Sequence, residues 1–91
     1  MTARVHVIIT GKVQGVCFRI ATKQEADKYG VTGWVRNRID GSVEAVFEGK
    51  KDKVGPVLKW CGDGPLTARV KKVETIWEEH KNEFQTFQVL Y

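Results

Sequence analysis

Near the start of the chain, Val5, Val7 and Ile9 alternate with His6, Ile8 and Thr10. That period of two predicts a strand with one face more apolar than the other. From Phe18 the period changes. Phe18, Ala21, Thr22, Ala26 and Tyr29 fall on one helical stripe, Lys23, Glu25, Asp27 and Lys28 lie mostly outside it, and Gly30 supplies the stop. Alternation returns in GWVRNRI, residues 33–39, and in SVEAVFE, residues 42–48. Asp40-Gly41 between them is a hairpin signal, because the favoured turns need positive φ. Val54, Val57, Leu58 and Cys61 carry the i, i+3, i+4, i+7 spacing of a second helix over about residues 52–62. Pro56 is expected near its first turn, where a missing N–H is tolerated. Gly62-Asp63-Gly64-Pro65 then breaks the chain. A strand is predicted over residues 70–79, with Val73, Thr75 and Trp77 alternating against Glu74, Ile76 and Glu78, and a last short strand over residues 84–91.

The order β-α-β-β-α-β plus a C-terminal strand predicts an α+β, ferredoxin-like sandwich, with two helices on one face of a largely antiparallel sheet. Residues 1–91 are expected to form a single domain, since 42% hydrophobic content and this length suit one modest core. No repeat, linker or low-complexity tract interrupts the chain. No apolar run approaches the roughly 18 residues of a membrane span. The start, MTARVHVIIT, lacks the apolar core and cleavage site of a secretion signal and reads as a strand. A cytoplasmic protein is the expectation. Cys17 and Cys61 are too few for a disulfide framework, although a single bridge stays open on sequence alone. Fifteen basic against eleven acidic residues give a net charge of +4, with the charges scattered apart from Lys50-Lys51 and Lys71-Lys72. That is a solvated surface with a mild attraction for small anions, not a nucleic-acid footprint.

The familiar catalytic constellations are missing. His6 and His80 have no Cys or carboxylate at ligand spacing, so no metal site is expected and both read as strand or surface residues. A cysteine phosphatase loop needs Cys-x5-Arg, but Lys23 stands six residues after Cys17 and Thr67 six after Cys61. Neither GxxxxGK[ST] nor GxGxxG occurs. What remains is GKVQGVCFR, residues 11–19, which runs from a strand into the first turn of a helix. There the backbone N–H groups lack intrahelical partners and carry the positive end of the helix dipole. Gly15 lets the backbone curl, the N–H groups from Gln14 to Arg19 are placed to nest a small oxyanion, and the Arg19 fork matches phosphate oxygens in pairs. From this stretch alone, a plain connecting loop with a solvent-facing arginine remains an equal reading.

A second stretch, GWVRNRIDGSVE, residues 33–44, together with GKVQGVCFR, closely resembles the signatures of the acylphosphatase family. GPLTARV, residues 64–70, resembles the connection in its prokaryotic members, and the likeness runs from Val5 to Tyr91. The resemblance implies hydrolysis of the carboxyl–phosphate bond of acyl phosphates, with no cofactor and no metal. It implies that Arg19 is the phosphate-binding arginine and Asn37 the catalytic asparagine. The phosphate cradle maps onto the backbone of Gln14, Gly15, Val16, Cys17, Phe18 and Arg19. Cys17 is the loosest position of the match and reads as a lining residue; a redox-sensitive thiol is the sharper alternative. Inorganic phosphate or sulfate is the expected competing ligand, and a monomer the expected state. The chemistry asks little of the protein. The leaving carboxylate has a conjugate acid of pKa about 4 and departs unprotonated at neutral pH. Charge neutralisation and an in-line water are what must be supplied.

Two other readings compete. An RNA-recognition module shares the βαββαβ order, but its third strand carries basic and aromatic residues for stacking bases. Here that strand is SVEAVFE, with two glutamates and with Val43, Ala45 and Phe47 assigned to the core. The other is a domain cut from a larger carbamoyl-transfer or hydrogenase-maturation protein; Met1 at the start and Tyr91 closing the last strand point instead to a stand-alone chain. Trp34, Trp60 and Trp77 read as packing and cover rather than a stacking platform.

Overall fold

The first strand lies inside the sheet. In the computed structural model, which describes residues 1–91, β1 (Thr2–Lys12) pairs antiparallel with both β3 (Val43–Lys50) and β4 (Arg69–Glu78). Its Val5, Val7 and Ile9 face Phe47, Ala45 and Val43 across the ladder, and all six are fully buried. The apolar members of the alternation therefore share one face, which the helices cover. α1 (Phe18–Lys28) lies over β2 (Thr32–Asn37) and β5 (Phe87–Val89), and α2 (Lys51–Asp63) over β3 and β4. The five-stranded sheet runs β4-β1-β3-β2-β5, antiparallel throughout except for the β2–β5 pair. The expected α+β sandwich, with its short extra strand, is the observed one.

Local signals explain most boundaries. α1 buries Phe18, Thr22 and Ala26, and it ends in the bond pair expected of a glycine stop: Val31 N–H donates to Ala26 O at 2.9 Å and Gly30 N–H to Asp27 O at 3.2 Å. At the hairpin, the Arg38 N–H donates to Ser42 O at 2.8 Å and the Gly41 N–H to Arg38 O at 3.2 Å. Asp40 Oδ1 accepts from both the N–H and the hydroxyl of Ser42, at 3.0 and 2.6 Å, which fixes the turn from within. These bonds lower the Asp40 pKa below its ordinary value, the Ser42 hydroxyl contributing most.

Three expectations need correction. β2 stops at Asn37, so Ile39 is not a strand residue sharing an apolar face with it; Ile39 stands fully exposed in the turn. α2 begins at Lys51, which puts Pro56 inside the helix rather than in its first turn. Its ring leaves the Asp52 carbonyl without the usual i+4 donor. The stripe Val54, Val57 and Cys61, all fully buried, is strong enough to hold the helix despite it. The last strand is also shorter than expected, with regular pairing only over Phe87–Val89, although Leu90 N–H continues it by donating to Val35 O at 2.8 Å.

The face of the sheet away from the helices is not plain solvent-facing surface. Glu44 and Glu48 are both buried there. Glu44 bonds His6 Nε2 at 2.5 Å and Arg36 Nε at 2.7 Å. The Glu48 carboxylate accepts the backbone N–H groups of Lys81, Asn82 and Glu83 at 2.7, 3.1 and 3.0 Å, with the Arg4 guanidinium 3.7 Å away. Burial pushes the Glu48 pKa up, but the three N–H bonds outweigh it, and the net shift is downward. A depressed folded pKa means that this stabilisation is present above the unfolded value of about 4.3 and is lost as pH falls through the folded value. Glu48→Gln is expected to cost about 3 kcal/mol at pH 7 by urea unfolding. The gap between mutant and wild type should close as the pH is taken well below 4.3, the ordinary glutamate value.

Candidate active site

Val13 to Cys17 join the end of β1 to α1 without regular structure, and four side chains anchor them. Val13 and Val16 insert into the core, at 1% and 8% exposure. The Gln14 amide nitrogen donates to the carbonyls of Arg38 and Ser42 at 2.7 and 2.9 Å. From the far side, the Thr67 hydroxyl donates to Val16 O at 2.9 Å. Gly15 takes φ 73, which a Cβ would strain, and Cys17 takes φ 62 as the N-cap of α1 without giving a side-chain cap. Held in this way, the N–H groups from Gly15 to Arg19 donate to no acceptor in the protein. The first internal bond of the helix end comes later, from Ala21 N–H to Cys17 O at 3.1 Å.

Arg19, on the first turn of α1, is fixed by the C-terminal strand. Its Nη1 donates to Leu90 O at 2.9 Å, and its guanidinium lies over the Tyr91 ring, 4.6 Å from the centroid. One of five donors is thereby used to orient the fork. Asn37 ends β2 on the helix-covered face, beside fully buried Val35. Its Oδ1 is buried and has no hydrogen-bond partner. A buried acceptor left unmade costs about 1–3 kcal/mol, so the position is expensive unless something else bonds to it.

Arg19 and Asn37 line the same cleft, together with Val13, Gly15, Cys17, Phe18, Ile20 and Tyr91; its volume is about 310 Å³. A neighbouring cleft, lined by Arg36, Asn37, Arg38, Ile39 and Tyr91, shares Asn37 and Tyr91 with it. Neither cleft has a carboxylate or an imidazole in its wall. The electrostatics therefore favour an anion, and no side chain in the wall is suited to general acid–base work at neutral pH. Nowhere in the chain do three or more His, Cys, Asp or Glu side chains come together as metal ligands. Both cysteines are free. Cys61 is buried, and desolvation, helped by Glu25, pushes its thiol up to about 12, so it is inert. Cys17 is exposed at the cleft.

Residues 5–89 match the sequence pattern of the Acylphosphatase family. The chain belongs to the acylphosphatase family. It is 57% identical over 88 residues to the acylphosphatase of Pyrobaculum islandicum, covering 96% of this chain and 93% of that one. Identity to the acylphosphatase of Pelotomaculum thermopropionicum is 47% over 89 residues, with 98% and 97% covered. The crystal structure of the acylphosphatase from Bacillus subtilis superposes with a TM-score of 0.94 at 31% identity, covering both chains completely. No helix is long and apolar enough to cross a membrane.

Of the residues singled out from sequence, Gly15, Cys17, Phe18, Arg19 and Asn37 line this cleft, whereas Val16 turns its side chain into the core. Gln14 does more than lend its backbone. Its side chain ties the loop to the hairpin just beyond Asn37, a role that only the 24- and 28-residue separations of its two bonds disclose. Leu90 and Tyr91 were likewise missed, since nothing local marks a carbonyl 71 residues away as the partner of Arg19. Gln14→Ala removes two bonds worth roughly 1 kcal/mol each and should lower unfolding stability by about 2 kcal/mol. Gln14→Glu should be worse than Ala, because a carboxylate would face two carbonyl oxygens; urea unfolding of the pair checks the order.

Proposed function

We propose that this member of the acylphosphatase family hydrolyses acyl phosphates by direct attack of water on phosphorus. The phosphoryl group is held by Arg19 and the Gln14–Arg19 backbone, and the water by Asn37. The observation that carries this reading is the convergence on one cleft of a fixed guanidinium, N–H groups without acceptors and a buried, unpartnered amide oxygen. The first two suit the phosphoryl oxygens, where charge must be neutralised. The third suits a water hydrogen. An amide holds the water without the negative charge that an aspartate would place beside the phosphate.

In the step itself, the water oxygen bonds to phosphorus as the bond from phosphorus to the acyl oxygen breaks. The bonding pair leaves with the carboxylate, and the water's two protons stay on the phosphate product. No proton is needed by the leaving group, which agrees with a cleft wall that has no Asp, Glu or His side chain. The reading takes the reaction as metal-free and without a phosphoenzyme, Cys17 being a lining residue. It takes the protein as a monomer and as cytoplasmic, where free thiols persist. RNA binding is disfavoured by the open sheet face, where the exposed Glu74 and Glu78 would meet the phosphates.

The decisive measurement is acyl-phosphate hydrolysis by purified protein with a chelator present. Full activity is expected, with inorganic phosphate or sulfate inhibiting competitively and alkyl phosphate monoesters scarcely touched. Activity that vanishes with chelator and returns with a divalent ion would remove the metal-free route. Arg19→Ala should impair both KM and kcat, and Arg19→Lys should rescue little, because the paired fork is lost. Asn37→Ala should lower kcat by about 10²–10³ and leave KM nearly unchanged, the signature of a group used in the transition state. A folded Asn37→Ala protein with normal kcat would make Asn37 structural. Cys17→Ser should keep its turnover.

A further inference from the structure

The phosphoryl group accounts for the polar floor of the cleft and leaves its mouth unexplained. Ile20 is 53% exposed and Tyr91 95% exposed, and both line the cleft above buried Val13 and Phe18. Ile20 is off the core stripe of α1, which is Phe18, Thr22 and Ala26, so burial against the sheet does not explain it. It also occupies a helix first turn, where the dipole favours an acidic residue and none is present. Scattered surface isoleucines need no explanation, but one that walls a cleft beside an exposed aromatic ring does. Ile39, fully exposed, gives the neighbouring cleft an apolar side chain of its own. An acyl group extending from the bound phosphoryl therefore has two directions open to it, toward Ile20 or toward Ile39.

In-line displacement chooses between them, because nucleophile and leaving group lie on opposite sides of phosphorus. Asn37 and Ile39 belong to the end of β2 and the turn that follows it, whereas Ile20 belongs to α1. With the water at Asn37, the acyl group departs from the β2 end and toward α1. Resting on the hydrolytic reading above, we propose that Ile20 is a specificity-determining residue that packs against the acyl group of the substrate. Tyr91 adds apolar surface there but also stacks on Arg19, so it is the poorer residue to test.

The experiment compares kcat/KM for benzoyl phosphate and acetyl phosphate in the wild type, Ile20→Ala and Ile39→Ala. Ile20→Ala should cut the benzoyl-to-acetyl ratio by about tenfold relative to wild type, the range expected for lost apolar contact in a pocket, while competitive inhibition by inorganic phosphate stays as it was. Ile20→Leu should restore most of that ratio. Folding is not at stake, since Ala is the better helix former and the side chain is half exposed. Ile39→Ala should leave the ratio alone. An unchanged ratio in Ile20→Ala, or a loss in Ile39→Ala instead, overturns the proposal while hydrolysis itself stands. A wild type that cleaves neither substrate defeats the hydrolytic reading, and this one with it.

Discussion

The structure depends on a loop that keeps its backbone donors unpaired. Five consecutive N–H groups, from Gly15 to Arg19, go without a protein acceptor, so the usual means of fixing a backbone is not available there. The loop is held instead by what its side chains and carbonyls do: two buried valines, one glutamine amide and one threonine hydroxyl. β1, which precedes the loop, is an interior strand. A strand paired on both edges gives the loop a rigid point of departure, and α1 gives it a rigid end. Arg19 and Asn37 then inherit their positions from elements that meet at this loop.

The same chemistry occurs at the opposite end of β3, with a different outcome. Lys81, Asn82 and Glu83 also present successive N–H groups, but these close on the carboxylate of Glu48. One set of amides is satisfied by the protein's own anion and serves the fold. The other has no acceptor within the protein, and the proposed phosphoryl group is an anion that suits it.

The element order was readable from sequence because each element carried its own signal: alternation in β1 to β4, a stripe in each helix, Gly30 at one stop and Asp40-Gly41 at one turn. Where a boundary missed, a tertiary effect had won, as when the buried face of α2 carried the helix through Pro56. Arg19 and Asn37 were readable through the family signatures, not from physics alone, since half of each motif looks like an ordinary loop or strand end. The supporting residues were not readable at all. Glu48 looked like a solvent-facing strand residue, because the amides that bury it lie 33 to 35 positions further on. Gln14, Leu90 and Tyr91 act through partners equally remote in sequence.

The tie between Arg19 and Leu90 couples the anion site to the weakest part of the sheet. β5 is a three-residue edge strand, attached by parallel pairing to β2 alone. Such an edge frays at a lower free energy than the β1–β3 centre. Fraying of the Leu90–Tyr91 end releases the guanidinium from its carbonyl and its aromatic support while Phe87 stays in the core. Heat should therefore silence the site before it melts the molecule, and thermal inactivation will run ahead of the calorimetric transition by an amount set by that one strand.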